Sequence, residues 1–384
     1  METVSVVFCF NDAFCRLATG AISSLINNAS DSYNYDIYII HDDLSVKNQF
    51  IINSLNNRDN VSIKYIFFDL NKEFPGTLNT RKKFSHHILF RLFLNKILPN
   101  IDKILYLDGD VVITTDISNL FNINISNYSI AAVPEYTVAR IGIEKLKNFK
   151  IFDDCPDDIK SFGNLYDYFR LYLRFDDLDI DNYFNSGVIL FNLKRAGRAL
   201  NKVPSMLEKN YFAPDQCLLN LLFKDDKLII DQRYNTFSNH VPEFVEKYGT
   251  LPDIIHFYGT KPDKSMSRPG DSKYWEAMYK SSLYYPALEH FMNFKINAVK
   301  SNFNRMVEAV DKNFDIKIKD PKTIDDLYHN LKRMHKLMRR RKYIKLIIRL
   351  LVDHKKYKKL KENPDKFFFD SKSSFIRFLG KYYE

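Results

Sequence analysis

Short apolar runs alternate with amphipathic segments through the first third of the chain. Runs rich in β-branched and aromatic residues predict strands at residues 4–10, 35–40 and 61–70. Apolar residues at helical spacing predict helices at residues 16–26, 46–55 and 85–98. This alternation is typical of right-handed crossovers. We therefore expect an α/β fold with a mostly parallel central sheet and helices on both faces.

Residues 101–116 (IDKILYLDGDVVITTD) are the centre of this pattern. The runs at 104–107 and 111–113 are apolar on both faces, as in a strand buried between helices. Asp108 and Asp110 flank a glycine between them and, at i and i+2 of a strand, would face one place. A divalent cation commonly balances two such charges. A hairpin turn is the alternative, because Asp-Gly-Asp also suits tight turns, but hairpin flanks would have one wet face.

The rest of the chain changes character twice. Residues 141–180 are irregular and acidic, which predicts an insertion, and another strand is predicted at 183–193. A helix is predicted after Pro214, and the strand-like run ending in IIHFYG closes the α/β pattern. We divide the chain into three parts. Residues 1–265 form the α/β domain, residues 266–300 form an aromatic-rich segment, and residues 301–384 form a helical, basic extension. Trp275, the only Trp of the sequence, lies in the second part.

The positive charge is concentrated near the C-terminal end. Residues 331–361 carry fourteen Lys/Arg against one Asp, +13 in a chain whose net charge is +10, so the rest sums to −3. Apolar residues at near-helical spacing among these charges predict a basic amphipathic helix on an anionic membrane surface. A solvated helix packed on the preceding domain is one alternative. Nucleic-acid binding is another, but no nucleic-acid module accompanies the run, so no nucleic-acid partner is expected.

Composition and the distribution of apolar runs indicate the class of protein and its location in the cell. Apolar residues make up 45% of the chain, which is typical of a globular protein. The four cysteines lack metal or disulfide spacing and are expected to be reduced thiols. The first residues lack a secretory-signal pattern, and no apolar run approaches the ~20 residues of a membrane span. These features predict a cytoplasmic protein, peripheral on the inner face of the cytoplasmic membrane. Glycine-rich phosphate-binding motifs are absent from the sequence, so a metal would neutralise any bound nucleotide phosphates.

Six sequence blocks occur in a specific order. They are FNDAF at 10–14, SHHILFR at 85–91, YLDGDVVI at 106–113, FNSGVILFNL at 184–193, DQCLLN at 215–220 and IIHFYGTKP at 254–262. In this order they resemble glycosyltransferase family 8, which includes bacterial lipopolysaccharide galactosyl- and glucosyltransferases and glycogenin. The resemblance implies a Rossmann-like GT-A catalytic domain over residues 1–265, closed by 266–300. It also implies UDP-galactose or UDP-glucose as donor, Mn²⁺ or Mg²⁺, and retention of anomeric configuration.

The resemblance also assigns residues to roles. For the metal it implies Asp108, Asp110 and His256. For the donor it implies Asn11, Phe14, Arg91, Asp108, Gly259 and Lys261, the first two at the uridine and the last two at the diphosphate. For the sugar and the chemistry it implies Glu135, Asn185, Asp215 and Gln216. The sequence departs from the family in that Glu135 stands where Asp is usual. The loop before Pro262 is also one residue shorter, and Asp263 replaces a Trp.

Each of these residues has an ordinary structural alternative. His256 follows two isoleucines and could be a core histidine; Asn185 could cap the chain before a buried strand. Asp215 could be a favourable first-turn acid behind Pro214, and Arg91 a solvated helix residue. For a retaining enzyme, Asp215 is the best candidate for a carboxylate nucleophile. We favour front-face attack, with Gln216 steadying the oxocarbenium-like sugar, and leave the two mechanisms open.

The sequence therefore predicts a retaining hexosyltransferase that uses a UDP-sugar. Its expected acceptor is a glycan or glycolipid of the cell surface, such as lipopolysaccharide, lipooligosaccharide or capsule. Two other classes compete with this prediction. A metal-dependent nucleotidyltransferase also uses paired aspartates but releases pyrophosphate, and a non-catalytic scaffold would bind lipid or nucleic acid through its basic extension.

Overall fold

The computed structural model describes residues 1–74, 85–135, 138, 142–259, 261–266, 270–279 and 281–314, and for residues 299, 300 and 302–314 the backbone alone. The basic run 331–361 lies outside the described residues. The chain divides into two compact units. One contains Met1–Pro262 and Arg268–Tyr285, and the other contains Asp263–Ser267 and Pro286–Glu384.

A seven-stranded sheet forms the centre of the first unit. Its strands are β1 (Thr3–Cys9), β2 (Asn34–His41), β3 (Val61–Phe67), β4 (Lys103–Leu107), β6 (Ile130–Pro134), β7 (Phe184–Asn192) and β8 (Lys227–Ile229), in the order β3-β2-β1-β4-β7-β6-β8. The pairs β1–β2, β2–β3, β1–β4 and β6–β8 are parallel, and β7 runs antiparallel to both β4 and β6. The predicted α/β fold with a mostly parallel sheet is confirmed.

A second sheet, of three strands, begins immediately after Asp110. Its strands are β5 (Val111–Ile113), β9 (Thr236–Phe237) and β10 (Ile254–His256), in the order β5-β10-β9. The chain leaves β4 of the large sheet, turns through Asp108, Gly109 and Asp110, and enters β5 of the small one. β4 pairs with β1 and β7, whereas β5 pairs with β10. The two runs therefore do not form the hairpin that was the alternative interpretation of Asp-Gly-Asp.

Helices connect the strands and cover both faces. The α-helices are α1 (Cys15–Asn28), α2 (Val46–Asn53), α3 (Leu70–Glu73), α4 (Leu94–Ile97), α5 (Ser118–Phe121), α6 (Ile143–Leu146), α7 (Asp157–Lys160), α8 (Leu165–Asp167), α9 (Asp177–Asp181), α10 (Leu193–Leu200), α11 (Val203–Met206), α12 (Pro214–Leu222), α13 (Val241–Tyr248), α14 (Asp271–Met278) and α15 (Tyr284–Phe314). Short 3-10 helices occur at Asp12–Phe14, His86–Phe93, Gln232–Tyr234, Ser238–His240 and Pro262–Lys264, with a π-helical turn at Tyr168–Tyr172. The helix predicted at 85–98 is thus mostly a 3-10 helix. None of the helices of the described residues is long and apolar enough to span a bilayer.

The hydrophobic core lies in two layers, one on each face of the large sheet. Alternate residues of β4 belong to opposite layers, with Ile104 and Tyr106 in one and Leu105 and Leu107 in the other. A strand buried on both faces needs apolar residues at every position, which is why residues 104–107 carry no solvent-facing polar side chain. The acidic insertion contributes buried aromatic residues, Tyr168 among them, to the first layer.

Candidate active site

Two carboxylates and one imidazole meet where β4 ends and β10 ends. His256 is the last residue of β10, which pairs antiparallel with β5 immediately after Asp110. Its Nε2 lies 3.5 Å from Asp110 Oδ1 and 3.8 Å from Asp108 Oδ2. One donor atom from each of the three side chains lies within 4.8 Å of the others. Residues separated by almost 150 positions in the sequence are therefore brought together by the small sheet.

Hydrogen bonds through the Asn185 and Asn235 side chains indicate which nitrogen of His256 carries a proton. The Gly187 N–H can only donate, and it donates to Asn185 Oδ1 at 2.9 Å. Asn235 Nδ2 donates to the same oxygen at 2.9 Å, so Asn235 Oδ1 faces His256 Nδ1, also at 2.9 Å. His256 Nδ1 must then carry a proton, and Nε2 is the nitrogen that faces the carboxylates. This is the orientation that a metal-bound histidine requires.

Gln216 continues the same network on the other side of Asn185. Its Oε1 accepts hydrogen bonds from the Ser186 N–H and from Asn185 Nδ2, both at 3.1 Å. Because the Ser186 N–H can only donate, the orientation of the Gln216 amide is fixed as well. α12 begins with Pro214 at its first position, and the next two residues, Asp215 and Gln216, face the Asn-Ser-Gly segment of β7. The sequence-predicted Asn185, Asp215 and Gln216 therefore lie together.

Gly187 leaves the space in which His256 and Asp108 meet. A Cβ built on Gly187 would overlap His256 Cε1 and would lie 2.8 Å from Asp108 Oδ2. Real Cβ atoms do not approach so closely, so any larger residue would displace one of the two side chains. The glycine of the Asn-Ser-Gly motif is thus required by packing at the carboxylate pair.

Arg91 connects the carboxylates of two different elements. It is 3% exposed, Nη2 donates to Asp108 Oδ1 at 2.7 Å, and Nη1 lies 3.3 Å from Asp215 Oδ2. Nη1 also donates to the Ser186 carbonyl at 2.7 Å, and the guanidinium lies 4.3 Å from the centre of the Tyr106 ring. Burial alone would lower the pKa of Arg91, but the adjacent Asp108 and Asp215 carboxylates help to raise it above its usual value. The solvated-residue alternative for Arg91 is therefore wrong.

Opposing effects set the charge states of the acidic residues. Burial raises the pKa of Asp110, but the Lys261 ammonium and the His256 imidazole outweigh it and hold the pKa well below its usual range. Burial raises the pKa of Asp215, partly offset by Arg91, and the net pKa stays above the usual value. Asp108 also accepts a hydrogen bond from the Tyr106 hydroxyl at 2.7 Å. Hydrogen-bond donors and neighbouring positive charges therefore both hold the Asp108 and Asp110 carboxylates in place.

Lys261 contacts the pair from the loop that follows β10. Its Nζ is paired with Asp110 Oδ2 and also donates to the Phe257 carbonyl at 3.1 Å. Gly259, two residues earlier, has a φ of +81°, a conformation that side-chain-bearing residues rarely adopt. Lys261 therefore reaches Asp110 even though its loop is one residue shorter than the family pattern. In the second unit, Asp263 Oδ2 lies 3.6 Å from His290 Nε2.

The remaining predicted residues lie around this centre. Asn11 Oδ1 accepts from the Phe14 N–H at 2.9 Å, and a Cβ built on Gly109 would lie 3.0 Å from Phe14 Cε1. Phe14 thus lies beside the glycine between the two aspartates, and Asn11 caps the 3-10 helix that carries Phe14, just after β1. Glu135 follows β6; its Oε2 accepts from the Val138 N–H at 2.6 Å, and its N–H donates to the Tyr183 carbonyl.

Sequence reasoning did not single out three residues that complete the site. Tyr106 precedes Asp108 by two residues on the same strand, so its position on the same face could have been predicted. Ser186, inside a recognised motif, donates from Oγ to Asp215 Oδ2 at 2.8 Å. Asn235 is 2% exposed and lies 21 residues before His256, and nothing in its local sequence indicated its contact with that histidine.

The donor set fits a divalent cation. Two carboxylates and one imidazole are ligands that suit an ion such as Mn²⁺. A closed structural zinc site would instead be rich in cysteine. The pKa of Asp110 is held below its usual range, Nε2 of His256 faces its carboxylate, and Asn235 supplies the outer hydrogen bond that commonly fixes a metal-bound imidazole. Asp108, Asp110 and His256 would hold the ion.

Comparison with known proteins identifies relatives for most of the first unit. The family model "Glycosyl transferase family 8" matches residues 5–266. A "Putative glycosyltransferase" of Haemophilus influenzae is 25% identical over 244 residues, 61% of this chain and 63% of the relative. A "Lipopolysaccharide 1,2-glucosyltransferase" of Escherichia coli K12 is 28% identical over 233 residues, 59% of this chain and 60% of the relative. The chain thus aligns with less than two thirds of the length of these relatives.

Two solved structures share the fold. The apo structure of the bifunctional glycosyltransferase WbbM superposes with a TM-score of 0.63 at 24% identity, covering 76% of this chain and 52% of that one. The galactosyltransferase LgtC, in complex with donor and acceptor sugar analogs, superposes with a TM-score of 0.57 at 19% identity, covering 73% and 96%. At these identities the comparison establishes the fold alone.

Proposed function

The chain belongs to glycosyltransferase family 8 and has a GT-A fold, and on this premise we propose that it transfers a galactose or glucose residue from a UDP-sugar, with retention of configuration, to a surface glycan. The observation that carries the proposal is the convergence of Asp108, Asp110 and His256 around one point, with Lys261 and Arg91 beside them. The acceptor we propose is a lipopolysaccharide, lipooligosaccharide or capsular glycan, by analogy with the relative named a lipopolysaccharide glucosyltransferase.

In the proposed complex, the donor lies over the carboxyl ends of β1 and β4 and the amino end of β7, which runs antiparallel to β4. Mn²⁺ or Mg²⁺ bound by the carboxylate pair and His256 would act as a Lewis acid on the diphosphate. Lys261 exchanges its contact with Asp110 for the diphosphate and adds a point charge to the leaving group. Asn11 and Phe14, at the end of β1, take the uridine. Gly259 allows the loop that carries Lys261 to turn close to the phosphates.

The sugar is placed against Asn185, Asp215 and Gln216 in this proposal. Front-face attack is favoured over a covalent intermediate on Asp215, because Asp215 Oδ2 already accepts a hydrogen bond from Ser186 and lies 3.3 Å from Arg91. A carboxylate oxygen stabilised by two donors is a weaker nucleophile. Gln216 would steady the oxocarbenium-like sugar, and Glu135, from the end of β6, would approach the sugar from beside β7.

We assign the catalytic domain to residues 1–265, its closing segment to 266–300, and a membrane-contacting extension to 301–384. Attraction of the fourteen Lys/Arg of 331–361 to anionic lipid supports a peripheral position on the inner face of the cytoplasmic membrane. Such docking would bring the protein to the membrane that holds a lipid-linked acceptor.

A panel of UDP-sugars, assayed with Mn²⁺ for release of UDP, tests the proposal. UDP-galactose or UDP-glucose should give Mn²⁺-dependent UDP release, and Asp110→Ala should abolish it. Release of pyrophosphate from a nucleoside triphosphate would instead identify a nucleotidyltransferase. Full activity of Asp110→Ala would remove the metal role, and the absence of UDP release with every sugar of the panel would overturn the assignment.

A further inference from the structure

A second cluster of metal-ligating side chains lies outside the site described above. Asp42 directly follows β2, and His86 and His87 begin the 3-10 helix His86–Phe93. One donor atom from each of the three lies within 4.8 Å of the others, and in the described part of the chain only this set and the Asp108 set meet that condition. We propose that Asp42, His86 and His87, the Asp42 cluster, bind a transition-metal ion of the zinc class.

The Asp42 carboxylate faces both imidazoles at once. Its Oδ2 lies 2.5 Å from His86 Nε2, and its Oδ1 lies 2.5 Å from His87 Nε2. The two rings lie side by side, with their centres 4.2 Å apart and their planes inclined by 34°. Their Nε2 atoms therefore converge on one carboxylate, so a single ion placed among them would reach all three donors.

Ser85 supports the buried imidazole from behind. Its Oγ lies 2.6 Å from His87 Nδ1, close enough to accept a hydrogen bond from that nitrogen. In the structure His87 Nε2 donates to Asp42 Oδ1 at 2.5 Å. A bound ion would displace that proton to solvent, and His87 would then bind the ion through Nε2 while Nδ1–H donates to Ser85. An outer hydrogen bond of this kind commonly accompanies a metal-bound histidine, and Asn235 plays the same part for His256.

The ligand set distinguishes this cluster from the first site. Two imidazole nitrogens and one carboxylate oxygen form the three-ligand set of open zinc sites, in which water takes the fourth position. The Asp108 set has two oxygens and one nitrogen, which favours Mn²⁺ or Mg²⁺ more than the Asp42 cluster does. Each site is thus matched to a different class of ion.

The exposures of the three side chains allow the cluster to open around an ion. Zinc–ligand bonds of about 2.0–2.2 Å place tetrahedral ligand atoms roughly 3.4 Å apart, so the donors must separate by about 1 Å from their hydrogen-bonded positions. The side chain of His87 is 5% exposed, that of Asp42 24% and that of His86 45%. His86 can therefore move and leave a coordination position for water, while His87 stays fixed.

A bound ion would join two segments next to the candidate active site. The helix that His86 begins also carries Arg91, which contacts Asp108 and Asp215. On the other side, Asp43 Oδ1 accepts a hydrogen bond from the Asp12 N–H at 2.8 Å, next to Asn11. An ion at the Asp42 cluster would thus fasten the end of β2 to the helix that positions Arg91.

The test is a titration of the full-length, chelator-treated protein with zinc by isothermal calorimetry, backed by competition with a chromophoric chelator. His86→Ala should bind one equivalent of zinc fewer than the wild type, because it removes a direct ligand, and should lose more affinity at that site than the about 10- to 100-fold that outer-shell replacements typically cost. Cobalt bound at the site should give visible d–d absorption that His86→Ala loses. Zinc should raise the Tm of the wild type more than that of His86→Ala.

Two further variants locate the ion. His240→Ala removes a partly exposed histidine whose Nδ1 lies 3.7 Å from Glu243 Oε2 and which belongs to neither three-residue cluster of the described chain, so it should bind zinc as the wild type does. Asp110→Asn should keep the zinc equivalent that His86→Ala loses. Wild-type stoichiometry and affinity in His86→Ala would overturn the proposal. Loss of that equivalent in Asp110→Asn alone would overturn it as well.

Discussion

Asn235 is the residue whose replacement most sharply tests how the candidate metal site is built. Its Oδ1 faces His256 Nδ1 at 2.9 Å, and its Nδ2 donates to Asn185 Oδ1 at 2.9 Å. Asn235→Leu keeps a side chain of similar size and removes both hydrogen bonds. His256 would then lose the acceptor that holds its proton on Nδ1, and its Nε2 would no longer be fixed as the metal-facing nitrogen.

The expected loss follows from burial. His256 is 3% exposed and Asn235 2% exposed, so water would not replace the missing acceptor. A buried donor left without a partner costs about 1–3 kcal/mol, which corresponds to roughly 5- to 150-fold in an equilibrium constant at 1.4 kcal/mol per tenfold. Outer-shell replacements at metal sites typically cost about 10- to 100-fold in affinity. We therefore expect the Kd for Mn²⁺ to rise by about 10- to 100-fold.

The assay is Mn²⁺ binding at equilibrium, followed by calorimetry, with UDP release at saturating Mn²⁺ as a second readout. Asn220→Leu is the matched control, because Asn220 is also 2% exposed and hydrogen-bonds through its amide to Phe184 and Gln216. It should lower the Tm while leaving Mn²⁺ affinity within a fewfold of the wild type. Asn235→Asp keeps an acceptor for His256 and should bind Mn²⁺ more tightly than Asn235→Leu.

Two results would refute the reasoning. If Asn235→Leu binds Mn²⁺ as the wild type does while Asp110→Ala does not, the amide does not orient His256. If Asn235→Leu and Asn220→Leu lose affinity equally, the loss reflects general destabilisation and not the hydrogen bond to the imidazole.

Three further predictions address other parts of the molecule. Gly187→Ala places a Cβ 2.8 Å from the present position of Asp108 Oδ2, so UDP release should fall by about 100-fold with an unchanged circular dichroism spectrum; near-wild-type kinetics would contradict this. Lys261→Met removes the cation beside Asp110 and should raise the KM for the UDP-sugar, measured by initial rates, whereas an unchanged KM would exclude contact with the diphosphate. Deletion of residues 330–384 should reduce sedimentation with anionic vesicles and spare hydrolysis of soluble donor; undiminished sedimentation would end the membrane hypothesis.

The sheet could be predicted from the sequence because burial on both faces leaves a simple signature. β1, β2 and β4 consist of nearly continuous apolar residues, as a helix-covered parallel strand requires. The transfer of the chain from one sheet to another at Asp108 could not be predicted in the same way. β5 is three residues long and pairs with β10, and a partner so distant in sequence leaves no local pattern.

The same distinction applies to the candidate site: residues with a local sequence signal could be predicted, and residues chosen by distant partners could not. Asp108 and Asp110 were predicted to face one place as i and i+2 of a strand. The two carboxylates do approach the same imidazole, but from the turn that joins β4 to β5 and not from an extended strand. His256 required the family pattern, since a histidine after two isoleucines is equally consistent with an ordinary core. Asn235 was missed because a buried amide is chosen by its partners, and both partners are distant in sequence.

The formal charges around the pair explain why the donor and the ion should bind together. Asp108, Asp110 and Asp215 contribute three negative charges, and Arg91 and Lys261 contribute two positive ones, with each cation paired to at least one carboxylate. The five groups therefore sum to −1, which repels a diphosphate at close range. A divalent ion changes the sum to +1. With the ion bound to Asp110, the Lys261 ammonium would pair with the phosphates instead of that carboxylate. Buried ion pairs contribute little net stability on their own, so this arrangement is better explained by the ligand that it is built to receive.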